Sequence, residues 1–189
     1  MQGLSILTEP TKFNGSFDDL HCAVESTALP ILCKDFIVVS GQLDLASKIG
    51  ANAALIIAKL DASLALAGKC LELGMEPVIE IHDEDDLAKI VTFVKRHPKK
   101  CIVGINNRDL ATLEINIGTT TRMLPVAKKA LGDNVIMISE SGIESPSDAR
   151  VLTKAGVDGF LIGTAFMKTP VPAIPGTIKE MLLACRRGA

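Results

Sequence analysis

Five short segments carry side chains able to move protons or hold an anion, and each lies at the end of an apolar run. Lys34-Asp35-Phe36 follows Pro30–Cys33, and Glu80-Ile81-His82 closes Pro77–Ile81. Asn106-Asn107-Arg108-Asp109 follows Cys101–Ile105, Ser139-Glu140-Ser141-Gly142 follows Val135–Ile138, and Gly163-Thr164 follows Gly159–Ile162. Gathered in one place, they supply a lysine, two carboxylates, an amide and a guanidinium. A buried lysine near carboxylates can act as a general acid, and a Glu there as a general base. The two Gly-containing turns offer backbone N–H groups to a phosphate near a short helix N-terminus.

Such gathering requires parallel strands whose carboxyl ends meet at one mouth. Seven apolar runs recur along the 189 residues, starting at Leu4, Pro30, Ala53, Pro77, Cys101, Val135 and Gly159. Their starts lie 23 to 34 residues apart, about the length of one strand, one helix and two loops. Between them the period is helical: Leu87, Ile90, Val91 and Val94 follow i, i+3, i+4, i+7, as do Ile178, Met181, Leu182 and Cys185. Gly50, Gly74, Gly132 and Gly156 stand where left-handed helix ends are expected, and Ser145-Pro146 reads as a cap followed by the first helical residue. No low-complexity linker divides the chain, which reads as one domain over residues 1–189. Seven strand–helix units suit either a (βα) barrel or an open doubly wound sheet.

Composition narrows the partners. The formal net charge is −2 and there is no Trp or Tyr, so neither a basic face nor a stacking platform for nucleic acid is expected. No apolar run approaches the roughly 18 residues of a membrane span. The N-terminus lacks the basic-then-apolar pattern of an export signal. The five cysteines are odd in number, widely spaced and without a Cys-x-x-Cys pair, which points to a reducing cytoplasm rather than disulfides. Glu80 and His82, taken as alternating to opposite sides of a strand, give no metal site. Asp83 to Asp86 reads as a solvated helix N-terminus.

The strings Leu7-Thr8-Glu9-Pro10, Lys34-Asp35-Phe36, Gly104-Ile105-Asn106-Asn107-Arg108-Asp109-Leu110 and Ser139-Glu140-Ser141-Gly142-Ile143 resemble indole-3-glycerol phosphate synthase of tryptophan biosynthesis, in order and spacing. The resemblance extends from Leu4 to about Leu183. It implies a (βα)8 barrel that converts 1-(2-carboxyphenylamino)-1-deoxyribulose 5-phosphate to indole-3-glycerol phosphate, with no metal or organic cofactor. By motif it implies Lys34 as the general acid and Glu80 as a catalytic carboxylate. Asn106 and Arg108 hold the substrate, and Glu140 with Ser141 forms another substrate-contacting pair; Asn106 and Glu140 are counted with the catalytic set. Gly142, Gly163 and Thr164 match the phosphate cradle, with Thr where many relatives carry Ser or Glu. Phe13 and Phe36 match apolar groups around the aromatic ring.

One departure accompanies the match. Members of that family begin with a further helix and a first βα unit whose strand ends in Glu-x-Lys before a Ser-Pro-Ser turn, and nothing before Leu4 matches these. The seven runs are then the family's second to eighth strands, an incomplete barrel. Two expectations follow: the unpaired edges favour oligomerisation or completion by an N-terminal segment, and activity is weak. The alternative is a catalytically silent phosphosugar-binding or partner module that keeps the cradle without the chemistry.

Overall fold

The computed structural model describes residues 3–185. Seven strands, β1 (Leu4–Leu7), β2 (Ile31–Lys34), β3 (Ala53–Ile57), β4 (Glu76–Ile81), β5 (Ile102–Asn106), β6 (Ile136–Glu140) and β7 (Gly159–Leu161), pair in chain order, all parallel. Eight helices intervene or follow: α1 (Phe17–Ser26), α2 (Ser40–Ile49), α3 (Ser63–Glu72), α4 (Glu84–Arg96), α5 (Gly118–Leu131), α6 (Pro146–Ala155), α7 (Thr164–Met167) and α8 (Ile174–Ala184). The runs expected from the sequence are the strands observed, with ends shifted by one or two residues.

Alternation along each strand divides the sheet into two faces. Ile31, Cys33, Ala54, Ile56, Ile79, Ile81, Val103, Ile105 and Met137 point one way and share a core with residues of all the long helices, among them Leu20, Leu43, Leu66, Ile90, Leu124, Leu152 and Met181. Leu55, Ile57 and Val78 point the other way and form a separate cluster with Leu32, Ile102 and Ile138. Helices therefore cover one face only. A doubly wound sheet would carry them on both, so the ambiguity resolves to a curled sheet of the barrel type, open between β1 and β7.

Local chemistry sets the helix ends. Ser16 caps α1 by accepting from the Asp19 amide at 3.1 Å. Ser145 and Asp148 cap α6 reciprocally, with Pro146 as its first residue. Gly50 and Gly156 end α2 and α6 at φ of 111° and 102°, the left-handed ends expected of them. Gly132 differs: at φ 87° and ψ 170° it leaves α5 without the left-handed turn. The apolar stripe of α8 also differs, since Met181 and Ala184 are buried while Leu182 lies in solvent.

A single amide ties the upper ends of β5, β6 and α5 together. Asn107 donates from Nδ2 to Ser139 Oγ at 3.0 Å, to the Glu140 carbonyl at 3.0 Å and to the Ser141 carbonyl at 2.9 Å. Its Oδ1 accepts from the Thr120 amide at 3.0 Å and the Thr120 hydroxyl at 2.8 Å. All but the bond to the Ser141 carbonyl are buried, so removing the amide strands several groups at once. Asn107→Ala is expected to cost about 2 to 4 kcal/mol, read as a lowered urea midpoint with an unchanged slope.

Candidate active site

The register on the helix-free face decides what meets what. Ile57, Glu80, Gly104 and Ile138 form one row across β3 to β6, and Asn106, Glu140 and Leu161 form the next row up. Gly104 has no side chain, and a Cβ there would overlap Oε1 of Glu140. The Glu140 carboxyl thus lies back over the bare backbone of β5, on the row that Glu80 occupies. A glycine inside a strand is the mark of such a close approach, and it is the signal by which Gly104 was open to discovery from sequence.

Glu140 is 1% exposed, and neither of its carboxylate oxygens has a hydrogen-bond partner among the described residues. Burial, reinforced by the negative charge of Glu80, pushes its pKa up to about 8. Glu80 is also buried but has company: Lys34 Nζ lies 3.9 Å from Oε2, and His82 Nε2 lies 3.3 Å from Oε1. Burial would raise its pKa, yet His82 and the charge of Lys34 outweigh burial and hold it below the usual carboxylate range. Near neutrality, then, one carboxyl is neutral and the other charged. Such a pair offers one proton donor and one acceptor.

Three sequence expectations need correcting here. Glu80 and His82 do not face apart: residues two apart share a strand face, and the turn after Ile81 brings the imidazole back to Glu80. The acidic run Asp83 to Asp86 is not uniformly solvated, because Asp86 is buried and bonds to His82 through both the backbone amide and Nδ1. Lys34, read as a buried lysine, keeps 26% of its side chain accessible at the mouth.

The other expected residues are spread around this centre. Asn106 is buried and uses Oδ1 to accept the Arg108 amide at 2.9 Å. Arg108 turns to its own loop, where Nη1 reaches the Leu113 carbonyl at 3.3 Å. Ser141 and Gly142 follow β6 at φ 65° and 73°, and a Cβ on Gly142 would overlap Ile115 of the neighbouring loop. Gly163 and Thr164 are exposed at the start of α7, a helix of only four residues. Phe13 and Phe36, 51% and 41% exposed, face each other with ring centroids 6.0 Å apart. They project from loops joined by a hydrogen bond of 2.8 Å from Thr8 Oγ1 to Asp35 Oδ2. A cavity of about 560 Å³ opens beside Phe36, lined also by Thr8, Glu9, Ser16, Phe17 and Asp35 among others. Glu9 shapes that rim by accepting the amides of Thr11, Lys12 and Phe13.

Fold and site together define a (βα)-barrel protein whose reactive groups sit at the carboxyl ends of its strands. The sequence profile of indole-3-glycerol phosphate synthase matches residues 1–174. The indole-3-glycerol phosphate synthase of Sulfurisphaera tokodaii is 39% identical over 183 residues, covering 95% of this chain and 69% of its own length. That of Carboxydothermus hydrogenoformans is 41% identical over 184 residues, covering 96% and 66%. The enzyme of the same name from Rippkaea orientalis is 38% identical over 175 residues, covering 89% and 58%. The chain thus spans about two thirds or less of the length of these relatives. Among solved structures, 3-hexulose-6-phosphate synthase from Salmonella typhimurium shares the fold, with a TM-score of 0.71 at 16% identity over 95% of this chain and 86% of that one. The chain belongs to the indole-3-glycerol phosphate synthase family.

The protonation pattern has a measurable consequence for stability. The native state keeps a proton on Glu140 between the ordinary carboxyl value of 4.5 and about 8, whereas the unfolded chain has lost it. Stability therefore falls as pH rises through that window. His82, lifted from 6.5 to about 9, adds a second decline between those values. Glu140→Gln, which mimics the neutral carboxyl, is expected to narrow the difference between urea midpoints at pH 5 and pH 8. The decline assigned to His82 should persist.

Proposed function

We propose that this chain acts as an indole-3-glycerol phosphate synthase, closing the ring of 1-(2-carboxyphenylamino)-1-deoxyribulose 5-phosphate with loss of CO2 and water. The observation that carries the reading is the Lys34–Glu80–Glu140 cluster, in which a partly accessible lysine faces one charged and one neutral carboxyl. Lys34 donates its proton to the ribulose carbonyl as the ring carbon attacks, and Glu80 balances the lysine's charge before transfer. Glu140, neutral near pH 7, supplies a hydrogen-bond donor at the reacting carbons and can exchange its proton during dehydration. Asn106, Arg108 and Ser141 hold the hydroxyls; Gly142, Gly163 and Thr164 take the phosphate on backbone N–H groups. Phe13 and Phe36 receive the carboxyphenyl ring, an assignment supported by their paired, half-exposed rings at the rim.

A cytoplasmic setting accords with the five unpaired cysteines, and no helix among the described residues is long and apolar enough to cross a membrane. The open edges of β1 and β7 favour pairing with a second copy or a further strand. A monodisperse monomer that binds no apolar dye would overturn that pairing.

Turnover is read as indole fluorescence, against a protein with no Trp of its own. The purified chain is expected to generate product, and Lys34→Ala to lower the rate by about 10² to 10⁴, the scale of a lost general acid. Saturable binding of the substrate without turnover would replace the enzyme reading with a binding role. No binding at all would overturn both.

A further inference from the structure

His82 has no part in the reaction just described, yet it stands inside the charged centre. The imidazole leaves the end of β4 where the chain turns into α4, with 8% of its side chain accessible. Nδ1 lies 3.2 Å from Asp86 Oδ2, and the same oxygen accepts the His82 backbone amide at 3.0 Å. Asp86 is itself fixed, since its amide donates to Asp83 Oδ1 at 2.9 Å in the cap of α4. One carboxylate thus grips both the ring and its backbone, leaving the ring no freedom to turn away.

The opposite nitrogen faces Glu80. Nε2 is buried and lies 3.3 Å from Oε1, close enough for strong attraction though outside hydrogen-bond geometry. A neutral imidazole has one N–H and one lone pair, so between two carboxylates one nitrogen would set a lone pair against an anion. Only the doubly protonated ring suits both sides. The charged groups around it come from four elements and a loop. Glu80 faces it from β4 and Asp86 from α4; Lys34 lies beyond Glu80 on β2, and Glu140 on β6. Lys59, after β3, reaches Asp83 at 3.8 Å. If the imidazole were neutral, Lys34 would be the single cation in contact with Glu80 among the described residues.

We infer that His82, clamped by Asp86, is a positioning residue: as an imidazolium it keeps Glu80 ionised and turned toward Lys34, so that the proton of the carboxyl pair rests on Glu140. The inference builds on the catalytic reading of Lys34, Glu80 and Glu140, but it concerns their charge states and can be measured without turnover. The tilt of His82 toward about 9 agrees with it: burial pulls the imidazole down, and Asp86 and Glu80 more than reverse that.

The test is a titration of the full chain by NMR, following the His82 ring nitrogens and the Glu80 and Glu140 carboxyl carbons. In the unaltered chain His82 should remain doubly protonated past pH 8. In His82→Gln, the Glu80 midpoint should rise by about one pH unit or more, the effect expected when a close opposite charge is removed. Asp86→Asn should lower the His82 midpoint while leaving the ring present. Where the chain turns over substrate, the acidic limb of its pH–rate profile should move upward with Glu80 in His82→Gln, a change that a merely structural residue would not cause. A His82 midpoint below about 7 in the unaltered chain overturns the inference, and so does an unmoved Glu80 in a folded His82→Gln. The first of these needs no variant to fold. Shifted carboxyls in a chain without turnover uphold the inference and count against the enzyme reading alone. Unmoved carboxyls in an active chain do the reverse.

Discussion

Two carboxyl groups share the helix-free face of this sheet with only one strand between them, and most of the site's organisation answers that crowding. Two buried anions at such range repel strongly, so the pair settles with one proton. Glu80 is the member that ionises because Lys34 and His82 lie against it, while Glu140 has no cation in contact among the described residues. With Asp86 counted against His82, the five groups sum to no net charge. A buried cluster of this kind is tolerated when its charges cancel and its geometry is fixed.

That fixing comes from residues outside the cluster. Asn107 draws the end of β6 to the start of α5, which sets where Glu140 leaves the sheet. The left-handed pair Ser141 and Gly142 then turns the chain under Ile115 before α6 begins. On the other side, the cap of α4 holds Asp86, and through it the imidazole. Helix starts here position the carboxylates as well as ending strands.

Much of this was legible in the sequence. The apolar runs located every strand, the half-buried β1 and β7 included, because strands apolar on both faces read as continuous runs rather than alternating ones. The polar residues at their ends pointed to Lys34, Glu80, Asn106 and Glu140. What periodicity could not reach was lateral register. A glycine within a strand marks a close approach at Gly104 without naming Glu140 as what approaches, and Asn107 reads only as the second half of an Asn-Asn pair. The role of Asp86 was hidden for another reason: an acidic run at a helix start suits solvent and the helix dipole equally well, and only the turn from β4 shows which carboxylate folds inward. Arg108 shows the converse, a charged residue at a strand end whose contact is with its own loop.

Gly104 also constrains how the site can have changed through descent. The space above it is occupied by the carboxyl of Glu140, so any side chain gained at 104 must coincide with a carboxyl swung aside, a shorter residue at 140 or a shifted β6. Position 104 cannot be filled while the carboxyl stays where it is. A lineage that first lost the carboxyl at 140 would be free to fill 104, and from then on an acid could not return to this place above β5 without clashing. The bare backbone at Gly104 therefore works as a ratchet: while it stays, the placement of a carboxyl above β5 is recoverable, and once it is filled that placement is lost.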